Sequence, residues 1–107
     1  MWGDNLLKAN IDISTATTTE VIAAVAGKTI VIDHVNFLAG GTTNVTLKDG
    51  STAYGGAYPL TTQTGVVLDN VMKNYNGVIT LTKGSAFNIT TSGAVQVSGF
   101  VRYRLLD

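Results

Sequence analysis

The alternation of residues 95–105 does most to narrow the folds open to this chain. Val95, Val97, Val101, Tyr103 and Leu105 share one parity, interrupted by Gly99, while Gln96, Ser98, Phe100, Arg102 and Arg104 hold the other. A period of two sustained over this stretch marks a strand with one buried face. Such a strand needs partners, because an isolated hairpin is marginal in water. Shorter stretches supply them. Val45 and Leu47 alternate with Asn44, Thr46 and Lys48; Ile79 and Leu81 with Val78, Thr80 and Thr82; Phe87 and Ile89 with Asn88 and Thr90. Residues 29–39 are apolar on both parities, with Val31, Val35 and Phe37 on one and Ile30, Ile32 and Leu38 on the other. A strand of that kind is central in a sheet or covered by a partner subunit.

Turn chemistry falls between these runs. Asp49-Gly50 and Asn76-Gly77 are hairpin dipeptides, and Gly40-Gly41, Gly55-Gly56, Lys83-Gly84 and Ser92-Gly93 mark the other breaks. About eight short strands at regular spacing predict an all-β fold, a compact sandwich or barrel. The segment TTTEVIAAVAG competes, since Thr17 and Glu20 fit a capping box and Gly27 a helix stop. The Thr and Val around it favour a strand, and a helix of about nine residues is marginal. Residues 11–107 are expected to form one β-sandwich domain. Residues 1–10 hold the only Trp and the pair Leu6-Leu7 and are read as an N-terminal arm. Fully extended, ten residues reach about 33 Å, enough to cross to a partner; the alternative is a terminal strand docked on its own core.

Composition removes several function classes. The 7 basic and 7 acidic side chains cancel, so no field stands ready for nucleic acid or an anionic membrane. With no Cys there is neither a disulfide framework nor a zinc-thiolate site. No apolar window has the length and purity of a membrane span, and the start carries no signal-peptide pattern, so synthesis in a cytoplasm is expected.

Catalytic motifs are equally sparse. His34 adjoins Asp33, but neighbours on a strand point to opposite faces. No Ser sits in a Gly-x-Ser-x-Gly elbow. Asp4, Asp12, Glu20, Asp33, Asp49, Asp69 and Asp107 are widely spread, so any acid–base pair must be built by the fold. Ala26-Gly27-Lys28-Thr29 matches only the end of a phosphate loop, because Ile22 stands where its first Gly belongs. Asn74-Tyr75-Asn76-Gly77 reads as a turn rather than a calcium loop, with Met72 at the first ligand position. The expectation is no enzyme, no metal and no cofactor. Tyr54, Tyr58 and Tyr75 lie in or beside loops and, if presented together, would stack on sugar rings. That defines an alternative, a carbohydrate-binding module.

The order of the segments VIAAVAGKTIVIDHVNFLAG, NVTLKDGST, GGAYPL, TGVVL, TKGSAFNITTS and AVQVSGFVRY resembles the capsid decoration or cement proteins of tailed phages. The likeness spans residues 19–104 and departs from that pattern between Leu68 and Asn76. It implies a jelly-roll-like sandwich that assembles as a homotrimer and binds the major capsid protein on the outer surface of the virion shell. On that reading Trp2, Leu6 and Leu7 are the candidate capsid contacts. A different virion part, such as a tail, neck or fibre-tip module, is the other expectation from the same composition.

Overall fold

A computed structural model describes residues 6–72 and 75–107. Along the chain run β1 (Leu7–Ile13), β2 (Thr18–Ile22), β3 (Thr29–Ala39), β4 (Thr43–Asp49), β5 (Thr52–Ala53), β6 (Tyr58–Leu60), β7 (Thr64–Asp69), β8 (Ile79–Thr80), β9 (Phe87–Thr91) and β10 (Val97–Leu106). No described residue is helical. The strands form two sheets, one in the order β1-β10-β3-β7 with β8 also beside β3, the other β2-β9-β4-β5 with β6 also beside β4. Every pairing is antiparallel.

The order has a simple origin. β1 pairs β10, β2 pairs β9, β3 pairs β7, and β4 pairs the short β5 and β6 that share one position. These are the rungs of one long hairpin. Rolling it brings β10 against β3 and β9 against β4, which closes the two sheets. The result is the expected sandwich of about eight strand positions in jelly-roll order, with β8 as a short addition. Ile11, Ile13, Val35, Phe37, Val97 and Val101 from one sheet meet Ile22, Val45, Leu47, Phe87 and Ile89 from the other in a shared core. Each fully buried side chain of this kind contributes roughly 1.5–3 kcal/mol of transfer free energy.

Three expectations are corrected. First, β3 does not keep one parity. Its register with β10 steps from Arg102↔His34 to Tyr103↔Ile32, leaving Asp33 as an extra residue. Such a bulge flips the facing of all that precedes it. Ile30 and Ile32 therefore join Val35, Phe37 and Ala39 in the core, and Val31 turns outward. Val31 is still fully buried, because the turn at Gly77 lies over it and Val78 N donates to Ile32 O at 2.8 Å. The chain itself covers that half of β3.

Second, residues 7–10 are not an arm. They pair with β10 from Leu7↔Tyr103 to Asn10↔Phe100, so the sandwich begins at β1. Third, the stretch after Thr17 is a strand only to Ile22. Residues 23–28 turn instead, with Lys28 N donating to Val25 O and Gly27 at φ 76°.

Candidate interaction surface

The outer face of the β1-β10-β3-β7 sheet gathers side chains from four strands. Odd-numbered residues of β1 and β10 point to the core, so the even ones point out. The registers then set three rows. Lys8, Arg102, His34 and Asp69 lie abreast in the first, and Asn10, Phe100, Asn36 and Val67 in the second. Asp12, Ser98, Leu38 and Gly65 make the third.

His34 sits at the centre and is held on three sides. Its Nδ1 is 2.8 Å from Asp69 Oδ1, and its Nε2 is 2.9 Å from Asn36 Nδ2. An amide Nδ2 donates, so Nε2 is the acceptor in that contact. The ring stacks on Phe100 with centroids 5.3 Å apart. Lys8 Nζ and Arg102 Cζ lie 5.7 and 5.8 Å from the centre of the same Phe100 ring. Leu38 and Val67 complete the face, 52% and 69% exposed. Val71 and Met72, just beyond β7, are more exposed still.

The fold thus builds a His–Asp pair, using Asp69 across the sheet rather than the sequence neighbour Asp33. Asp33 instead accepts from Asn70 Nδ2 at 3.0 Å. The His34 pair has the wiring of an orienting contact. Its Nε2, the atom a base would use on a substrate, is occupied by Asn36, and no hydroxyl or thiol touches it among the described residues. No group of three or more His, Cys, Asp and Glu side chains converges among the described residues. The arrangement is a rigid, stacked, polar–aromatic platform.

The residues singled out from the sequence are placed elsewhere. Trp2 lies outside the described residues. Leu6 is half-buried and Leu7 opens β1. The three tyrosines do not converge. Tyr54 follows β5 on the other sheet, its N–H donating to Leu47 O at 2.7 Å. Tyr58, in β6, packs its ring edge against Phe37 at 6.1 Å and is partly buried. Tyr75 lies over the first sheet, where its carbonyl accepts from the Arg104 guanidinium, whose Cζ is 5.1 Å from the Tyr75 ring centre. A sugar site built on all three has no geometric basis.

Lys8, Asn36, Asp69, Phe100 and Arg102 were not among the sequence candidates. One signal pointed to them: an aromatic, Phe100, on the otherwise polar parity of the last strand. Comparison with protein-family models, with curated proteins and with solved structures finds no match in any of the three.

Proposed function

We propose that the protein is a non-enzymatic structural component of a tailed-phage virion, a decoration protein that binds the major capsid protein on the outer shell as a homotrimer and stabilises it. The observation that carries this reading is a sheet face that no described residue covers, with Phe100, Leu38 and Val67 at its surface, on a jelly-roll sandwich; the resemblance of the segment order to decoration proteins supports it. Apolar groups gathered on one sheet face suit burial by another protein. Binding to several shell subunits at once favours whichever shell state presents them, by mass action. Three linked contacts add avidity. Trp2 and Leu6 are kept as further shell contacts.

Light scattering on the purified chain should give the mass of three 11.2 kDa subunits. Labelled protein should then saturate expanded, undecorated tailed-phage heads. A monomer that leaves those heads bare overturns the proposal, and label confined to the tail assigns the chain to the tail, neck or fibre-tip class instead. Truncation should stop at residue 6. Removing residues 1–10 would also strip the β1–β10 pairing from Leu7 to Asn10 and confound shell binding with folding.

A further inference from the structure

We propose that the outer face of the β1-β10-β3-β7 sheet docks a carboxylate-bearing protein segment, with its acid group between Lys8 and Arg102 and its adjoining apolar side chains along Phe100, Leu38 and Val67. The inference goes beyond the virion reading, and its test needs no capsid. In a capsid setting the partner segment would be an acidic loop of the shell.

Charge carries the argument. Among the described residues Lys28 pairs with Asp107, and Asp69 is taken up by its hydrogen bond with His34. Lys8 and Arg102 have no carboxylate among the described residues, although they stand side by side in the same row. Both reach over the ring of Phe100 in the neighbouring row. Two neighbouring cations repel, and a carboxylate set between them relieves that repulsion while making charge-assisted hydrogen bonds to both. His34 stacks on Phe100 and is itself fixed by Asp69 and Asn36, so the platform is ordered before a partner arrives. Preorganisation of this kind lowers the entropic cost of docking.

The carboxylates of the face narrow the occupant. A second copy of this chain is a poor donor of acid from this face, because Asp69 is engaged by His34 and Asp12 Oδ1 accepts from Gln96 Nε2 at 2.7 Å. A nucleic-acid strand needs a track of cations for successive phosphates. Here the two cations are bounded by Asp12 two rows away along β1 and by Asp69 at the far end of their own row. An acidic segment with apolar neighbours fits charge and surface together.

The test is a titration of the isotope-labelled full chain with a blocked dodecapeptide alternating Glu with Leu and Thr, read by amide chemical shifts. Saturable shifts should be confined to β1, β10, β3 and β7 and should weaken with salt. Lys8→Ala and Arg102→Ala should each lower affinity by roughly three- to tenfold, the scale of one charge-assisted contact at a partly desolvated site. The double variant Lys8→Glu/Arg102→Glu should abolish the shifts while keeping the dispersed spectrum of the folded protein. If that variant fails to fold, Lys8→Gln/Arg102→Gln gives the same reading. Absence of shifts, shifts elsewhere on the fold, or equal shifts with a peptide carrying Lys for Glu overturns the proposal. So does tighter binding of oligothymidylate or anionic vesicles at the same amides, or a Lys8/Arg102 effect on self-association alone.

Discussion

The two halves of β3 share a strand and a sheet, yet their outer faces differ completely. Before the bulge at Asp33, Val31 points outward and is fully buried, beneath the turn at Gly77 and beside a largely buried Arg104. After it, His34, Asn36 and Leu38 point outward and Leu38 is half exposed. Both halves are apolar in sequence, and only one is covered by the described residues of its own chain. An apolar outward position is therefore not in itself an interface. It becomes a candidate when no described residue lies over it and ordered polar groups surround it, as happens at Phe100.

Substitutions put this contrast to the test. The largest effect is expected at Gly99, where β10 passes so close to β3 that an added Cβ would lie 1.9 Å from Asn36 O. Gly99→Ala must push the two central strands apart beneath the open half, at a cost of about 3 kcal/mol or more. Urea unfolding measures it, and a variant within 1 kcal/mol of the parent, on the order of a surface change, would mean the strands separate easily there.

The contrast itself is tested by a matched pair. Val31→Ala, under the turn, should cost about 2 kcal/mol through lost burial and a residual cavity. Leu38→Ala, on the open half, should stay within about 0.5 kcal/mol. Equal losses in thermal melts would erase the distinction between covered and open halves. If Leu38 is instead worth more in the presence of a partner peptide than in its absence, the open half is sharpened into a binding surface.

The smallest effect concerns the end of β10, on the covered side. The hydrogen bond from Lys28, and next its charge, hold the Asp107 carboxyl below its ordinary value of 3.8. A depressed folded-state value means the pair adds stability above the unfolded value and loses it as pH falls through the folded one. Asp107→Asn should therefore lower the melting temperature slightly at neutral pH, and the difference should shrink as pH falls below 3.8. Because Asp107 is fully exposed, added salt should also erase the difference.

Much of the architecture was legible. Val97, Val101, Tyr103 and Leu105 lie on the core side as their parity requires, because β10 keeps one facing throughout. The bulge in β3 was not legible. Ile30, Val31 and Ile32 are all apolar, so period two carries no information where the facing flips. Residues 7–10 were misread for a related reason: Leu7, Ala9, Ile11 and Ile13 do alternate with Lys8, Asn10 and Asp12, but Ala9 is too small for the pattern to stand out. The platform was hidden by distance along the chain. Lys8, His34, Asp69 and Phe100 come from four strands, and only the rolled order brings them abreast. No local motif encodes a neighbour that far away.

That rolled order also governs when the molecule can form. β10 lies between β1 and β3, and is thus the piece that joins the first strand to the rest of its sheet. Of the described strands, β1 leaves the ribosome first and its partner β10 last. Until residues 97–106 emerge, β1 has no edge to pair with and β3 lacks one of its neighbours. Folding of this sheet therefore waits for β10 and is slow, on the scale of milliseconds to seconds expected for non-local β pairing. A nascent chain stalled short of Val97 presents open strand edges, the state most exposed to chaperones and to aggregation.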